Sequence, residues 1–453
     1  PEKGRPAGPN DASLGDVLAW LDRHINLEAI ERGRAGAAAL PTLERIANLA
    51  TAMGEPENAF PIVHITGTNG KGSTTRIASS LLRANGLSVG TYTSPHLERL
   101  NERIAYNGVP ISDDDLRDVL TAIEQLEGFV LESHPKMLPP TWFELITAAA
   151  YRYFADVAVE VAAIEVGIGG RFDATNIANA QIAVVTNIEY DHMGILGNTR
   201  EEIASEKAGI IKRDSLAVIG EEDPEIVEIF RRQALDIGAE GMWRRGVDFE
   251  TTQNVVALGG RVISVRTPLA EYEEMFMPLY GAHQGENASI AIAATEAFFG
   301  GSLDRDVVAE ALERIEIPGR LEIMSRHPLV LLDGAHNVAG ANALGASLSE
   351  DFASITPTIV VFGCLTGRDP AALIEALGVD RVAHVISCAP PSMRAIPADL
   401  VVKELERLPI SVSESESVAR AISEAKERAG HDGLVLVCGS LYLVGAAREH
   451  LTY

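Results

Sequence analysis

The stretch "HITGTNGKGSTT", residues 64 to 75, holds the densest set of groups suited to handling phosphate. The usual nucleotide loop reads G-x-x-x-x-G-K-[ST]. Here Ile65 stands at the first glycine position and Gly72 follows the lysine, leaving the shorter Gly67-x-x-Gly70-Lys71-Gly72-Ser73-Thr74. The physical requirements survive. Glycines let the loop amides around Thr68, Asn69 and Gly70 converge on phosphate oxygens, and a helix opening at Ser73 adds its positive end. Lys71 supplies a point charge for the β- and γ-phosphates, and Ser73 or Thr74 a hydroxyl for phosphate or Mg²⁺. A glycine-rich turn with no ligand would not need strand, loop, lysine, hydroxyls and helix in that order.

Three further groups extend the pattern. Glu165 ends the apolar run "VEVAAIEVG", at the carboxyl edge where a parallel sheet holds its ligands. A carboxylate there suits Mg²⁺, which prefers hard oxygen donors. The run "QIAVVTNIEYDHMGILG" delivers Asp191 and His192 to the same edge. In "SEKAGIIK", Lys207 follows Glu206 on a predicted helix, and the residues alone make that a surface charge pair. The loop by itself leaves hydrolysis, transfer to an alcohol and activation of an acid all open.

These groups need a sheet to hold them. Strand-like runs ("AFPIVHIT", "LSVGTYT", "QIAVVTNI", "LAVIG") alternate with helical patterns, which predicts a mostly parallel α/β sheet covered on both faces. Residues 250 to 280 read as antiparallel hairpins, followed by the helical "NASIAIAATEAFFG". After "IPGRLE" the alternation restarts with "LVLLDGA", "PTIVVFGC", "AHVISCAP", "PISV" and "GLVLVCGS". Two domains are expected, 1–318 and a smaller 319–453, with the boundary near Pro318 and Gly319.

Composition narrows the partners. The 453 residues carry 38 Lys plus Arg against 64 Asp plus Glu, a formal charge of -26 that would repel nucleic acid. With seven lysines in the chain, a lysine inside a motif weighs more than usual. No apolar run approaches the ~18 residues of a membrane span. Residues 1–12 are rich in Pro, Gly and charge, lack the apolar stretch of a secretory signal, and read as a loose tail. Cys364, Cys388 and Cys438 sit in apolar runs outside metal-ligand spacing, so buried thiols in a reducing cytoplasm are expected.

Together "GTNGKGST", "TSPHL", "EVGIGGRFDATN", "TNIEYDHMGILG", "EKAGIIK", "HQGENA", "PGR", "DGAHN" and "GSLYLVG" resemble folylpolyglutamate synthase and dihydrofolate synthase, a branch of the Mur ligase superfamily. The resemblance runs in order from about residue 20 to the C-terminus. It implies a P-loop ATPase-like N-terminal domain, a Rossmann-like C-terminal domain and an ATP-dependent amide ligase, working as a cytoplasmic monomer. In such an enzyme a folate-type carboxylate takes the γ-phosphoryl group, and the amine of L-glutamate attacks the acyl phosphate.

Carried over residue by residue, the resemblance makes Lys71 and the loop amides the phosphate holders. Ser94 and Glu165 would bind one Mg²⁺, and Glu165 with His192 a second. Lys207 matches a lysine that in this family is often carbamylated by CO₂. Asn287 would contact adenine, Arg320 a phosphate across the cleft, Asp333 the ribose, and His336 would lie near the incoming glutamate. "PPTWFELITAAA" matches a pterin-packing segment, with Phe143 stacking and Thr141 a polar contact, although Phe143 also fits a helix core position. Asp173 and Ala174 would hydrogen-bond or line that pocket, and Arg103 in "HLERLNERI" would meet a substrate carboxylate.

The acceptor remains open between dihydropteroate, reduced folates and both, and the pterin-contact stretch favours both. A peptidoglycan-precursor ligase of the wider Mur group shares the ATP chemistry. "TSPHL" and "GGRFDATN" favour folate, and with about 60 residues ahead of the loop no UDP-binding domain is expected there. A module using ATP only as a switch would not need Glu165, His192, Lys207 and "DGAHN" together.

Overall fold

The computed structural model describes residues 13–29, 42–191 and 196–452. The expected tail at 1–12 and His192 lie outside them. The first strands are β1 (Ile62–Thr66), β2 (Val89–Tyr92), β3 (Ile104–Tyr106), β4 (Val109–Pro110), β5 (Val161–Glu165), β6 (Ile182–Val185), β7 (Leu216–Ile219) and β8 (Gly241–Arg244). They form one sheet in the order β4-β3-β2-β5-β1-β6-β7-β8. It is parallel from β2 to β8, with β3 and β4 added antiparallel at one edge. Every residue of β1, β5 and β6 is buried, as expected of strands covered on both faces.

Alternation along β1 sends its side chains to two different cores. Val63 and Ile65 pack with Leu82 and Ile290, under the helices Lys71–Ala84 and Ala282–Phe299. Ile62 packs with Leu145, Ile146 and Tyr151 of the helix Trp142–Asp156 on the opposite face. Pairing of Ile65 with Glu165, and of Thr66 with Val185, brings three strand ends level where the glycine loop leaves the sheet.

The strands β9 (Glu250–Ala257), β10 (Gly260–Arg266) and β11 (Glu271–Met277) form an antiparallel sheet in the order β11-β10-β9. The third sheet holds β12 (Glu322–Arg326), β13 (Leu329–Leu332), β14 (Thr358–Phe362), β15 (Val382–Ser387), β16 (Ser411–Glu414) and β17 (Leu434–Cys438). Its order is β12-β13-β17-β14-β15-β16, parallel except for β12. Cores lie on both sides of it, around Leu331 and Phe362 on one face and Leu332 and Val361 on the other. The two large sheets are thus mostly parallel and α/β, and the smaller β9–β11 sheet is antiparallel, as the sequence predicts. The three cysteines are free and buried.

Candidate active site

The loop between β1 and the helix Lys71–Ala84 is held from several sides. Thr68 N–H donates to Asn187 O (2.9 Å), Asn69 N–H to Asn187 Oδ1 (2.9 Å), and Thr186 Oγ1 to Asn69 O (2.6 Å). Thr68 Oγ1 accepts from Glu189 N–H at 2.9 Å. These bonds tie the loop to the segment beyond β6. The helix opens at Lys71, two residues ahead of the expected Ser73, with Gly70 as its cap at φ 80°. That left-handed backbone and the close approach of the Asn287 amide leave no room for a Cβ. Asn287 therefore stands against the tip of the loop, from the first turns of Ala282–Phe299.

Two lysines converge on one carbonyl. Lys71 Nζ donates to Gly67 O (3.1 Å) and Thr68 O (3.2 Å), and Lys207 Nζ donates to Gly67 O at 2.8 Å. Burial, with the Lys71 charge second, pushes the Lys207 ammonium down from 10.5 to about 7. The surface charge pair suggested by the residues alone is therefore corrected: Lys207 is buried, at the end of the helix Arg200–Lys207. An amine that loses its proton near neutrality is a nucleophile there, which an exposed lysine is not.

Glu165 is buried at the end of β5, where one of its oxygens accepts Ser94 N–H at 2.9 Å. Burial raises its carboxyl above the usual range, and Lys71, the Ser94 amide, Arg320 and Arg76 oppose the shift. The same oxygen stands 3.3 Å from where a Cβ on Gly72 would lie, directly over the start of the phosphate-loop helix. Ser73, buried in that first turn, adds a hydroxyl on the same side.

The smaller sheet supplies the facing wall. Asp333 follows β13, its oxygens accepting Leu321 N–H (3.0 Å) and Ala335 N–H (2.8 Å). Arg320 lies against Gly334 and donates to Gly319 O at 3.1 Å. His336 Nδ1 is 2.8 Å from Gly334 O, and its Nε2 is 3.6 Å from Asp191. Asn337 Nδ2 donates to Asn69 Oδ1 (2.9 Å) and to Asp191 Oδ2 (3.0 Å), while Arg368 donates to Asp191 Oδ1 at 2.5 Å. Between the walls lies a cavity of about 720 Å³, bordered by the loop, Glu165, Asn287, Arg320, Asp333 and His336.

At the proposed folate end, Phe143 is half-buried, 6.1 Å from the Tyr92 ring and in contact range of the Gly167 backbone. Asp173 is buried; its oxygens accept Ile168 N–H, Thr175 N–H and the Thr175 hydroxyl. Gly167 and Ile168 border the cavity; Phe143, Asp173 and Ala174 do not line it, and Ala174 is buried.

Two family-model segments match the chain: the Mur ligase middle domain over 142–295 and the Mur ligase glutamate ligase domain over 319–441. The dihydrofolate synthase/folylpolyglutamate synthase of Bacillus subtilis is 34% identical over 96% of this chain and 98% of its own. The chain belongs to the dihydrofolate synthase/folylpolyglutamate synthase family of Mur ligases. Members of this family are ATP-dependent ligases. Mycobacterium tuberculosis folylpolyglutamate synthase, solved with ADP and AMPPCP, superposes with a TM-score of 0.90 at 34% identity, covering 97% of this chain and 98% of that one. Escherichia coli FolC in complex with DHPP and ADP does so at 0.84 and 30% identity, with 97% and 98% coverage.

Set against the family pattern, Thr68–Ser73, Ser94, Glu165, Asn287, Arg320, Asp333 and His336 all border one cleft, whereas Thr74 and Lys207 are buried beside the phosphate loop and do not line it. His192 lies outside the described residues. Three expected substrate contacts, Asp173, Thr141 and Arg103, are engaged within the protein instead. Thr141 caps the helix Trp142–Asp156, its hydroxyl accepting Glu144 N–H while Glu144 accepts Thr141 N–H. Arg103 is buried with both terminal nitrogens on Glu28 (3.0 and 2.6 Å), and it stacks 4.8 Å over Trp142. A buried pair broken on one side costs about 3–5 kcal/mol, so Arg103 stays with Glu28 unless another anion takes that place. Asn337 and Arg368 escaped the sequence reading. Asn337 carries the signal of an N-cap in "DGAHN"; nothing in "TGRDP" marks Arg368.

Proposed function

We propose that this chain joins L-glutamate to dihydropteroate, giving dihydrofolate, and to reduced folates, extending their glutamate tails. The observation that carries this is a single cleft with phosphate-handling groups on one wall and Arg320, Asp333 and His336 on the other. A free carboxylate is a poor electrophile. Transfer of the γ-phosphoryl group to the acceptor's carboxylate oxygen breaks the phosphoanhydride bond, releases ADP and yields an acyl phosphate. The glutamate amine then adds to the carbonyl carbon, loses a proton, and phosphate departs as the amide forms. Lys71 and the loop amides hold the phosphates in this reading, Asn287 the adenine, Asp333 the ribose, and Arg320 the charge that builds on the transferred group. His336 is assigned to the glutamate side.

Glu165, Ser73 and Ser94 fit Mg²⁺, because a buried carboxylate with a raised proton affinity beside hydroxyl oxygens is a hard-donor set that a cation would stabilise. Mg²⁺ held there, with a second ion at Glu165 and His192, would neutralise phosphate charge. Lys207, amine-like near neutrality, is suited to add to CO₂; the resulting carbamate would put negative charge beside Lys71 in place of a second ammonium. Phe143, Asp173 and Ala174 are assigned to the pterin, and Arg103 to a substrate carboxylate that would displace Glu28. Both cleft walls come from one chain, so a monomer suffices. Buried free thiols fit a cytoplasmic setting. The division at Pro318–Gly319 is supported by the change of sheet and by the family segment that begins at 319.

ADP release measured with L-glutamate and either dihydropteroate or a tetrahydrofolate monoglutamate tests this reading. Release dependent on each acceptor is expected. Release with only one limits the enzyme to a single activity, and release with neither contradicts the assignment.

A further inference from the structure

His64 stands in the middle of β1 on the face where Ile62 meets the helix Trp142–Asp156, and it is completely buried. An aliphatic side chain would fill that position without a polar group to satisfy. Its Nε2 is 2.8 Å from Thr175 Oγ1, and Thr175 Oγ1 donates in turn to Asp173 Oδ1 at 2.5 Å. Because the Thr175 hydroxyl has one proton and gives it to Asp173, it accepts from His64, which requires the Nε2–H tautomer. Among the described residues Nδ1 has no hydrogen-bond partner, which agrees: a lone pair without a partner is tolerated more readily than a buried N–H. Burial holds the imidazole neutral by pushing it down to about 3, so the donor persists throughout the working pH range.

The chain of bonds leads towards the cleft. Asp173 Oδ2 accepts Ile168 N–H at 3.0 Å, Tyr151 OH closes on Thr175 O at 2.6 Å, and Gly167 lies between the Phe143 ring and Asp173. Gly167 and Ile168 are the part of this network that borders the cavity. We propose that His64 is a positioning residue for the acceptor end of the site, fixing Thr175 as a donor to Asp173 and thereby the turn against which the pterin ring is read. The inference rests on the reading that Phe143 and Asp173 flank the pterin. It links the strand that feeds the phosphate loop to the opposite end of the acceptor.

The test compares His64→Gln, whose amide can present N–H near the Nε2 position, with His64→Leu, which keeps bulk and removes the donor. Steady-state kinetics are measured with dihydropteroate, ATP and L-glutamate each varied. Expected is a KM for dihydropteroate raised about tenfold in His64→Leu, with KM for ATP and kcat within about twofold of the parent, and recovery in His64→Gln. Should His64→Leu fail to fold, Thr175→Val against Thr175→Ser makes the same comparison one bond further on. Equal rises in the KM values for ATP and dihydropteroate, or no recovery in the Gln or Ser variant, would overturn the inference in favour of a packing role. Asp173→Ala separates the two levels. If it raises KM for dihydropteroate while His64→Leu does not, the positioning role is wrong; if neither does, the pterin assignment beneath it is wrong.

Discussion

Lys207 is the residue whose chemistry depends most on its surroundings. A lysine in water stays protonated to about pH 10.4, whereas here burial and Lys71 bring the ammonium to about 7. Between those values the unfolded chain binds more protons than the folded one, so this group makes stability rise with pH across that window. Below pH 7 both states are protonated and the full penalty of the buried charge remains. Substituting Lys207→Met removes this dependence. Urea midpoints measured from pH 7 to 9 in CO₂-depleted buffer should therefore climb more steeply for the parent than for the variant; equal slopes would contradict the shift. With ¹³C-bicarbonate added, a carbamate resonance is expected in the parent and not in Lys207→Met.

At the scale of elements, the phosphate-loop helix depends on one backbone position. Gly70 at φ 80° caps Lys71–Ala84 while Asn287 closes in from Ala282–Phe299. Gly70→Ala would meet both a left-handed penalty of about 1–2 kcal/mol and a collision with the Asn287 amide. Expected is a Tm lowered by several degrees and ATP binding weakened more than tenfold by calorimetry. Gly70→Ala with unchanged nucleotide affinity would show that the loop adapts. Much of this element was legible in sequence, since a short, largely apolar strand, glycines, lysine and hydroxyls follow in an order few folds use. Its first helical residue was not, because glycines flank Lys71 on both sides and disfavour a helix, and the cap is set by backbone angle. Thr141 and Arg103 show the same limit from the other side. A threonine three residues before a glutamate is a capping box by pattern, which family likeness overrode. The Arg103–Glu28 pair joins residues 75 apart, a contact no spacing reveals.

For the whole molecule, the question is how two walls that close on a reactive acyl phosphate keep water out. Asp191 accepts from both Arg368 and Asn337, and Asn337 also reaches Asn69 inside the phosphate loop. The clasp therefore joins the facing wall to the groups that handle phosphate. Other seams lie apart from it: Arg261 pairs with Asp351 (2.9 Å), and Arg448 with Glu98 and Glu322. Those contacts keep the fold together when the clasp is cut, so Arg368→Ala should leave it intact while loosening the cleft locally beside Asp191 after phosphoryl transfer. Water would then compete with the glutamate amine for the acyl phosphate. The expected outcome is that ADP formation persists while ligated product falls roughly tenfold, raising the ratio of ADP to product well above about one. Arg448→Ala, which cuts a seam away from the cavity, should leave that ratio unchanged. If Arg368→Ala lowers ADP and product in parallel, the pair serves nucleotide binding, and exclusion of water must come from the rest of the cleft.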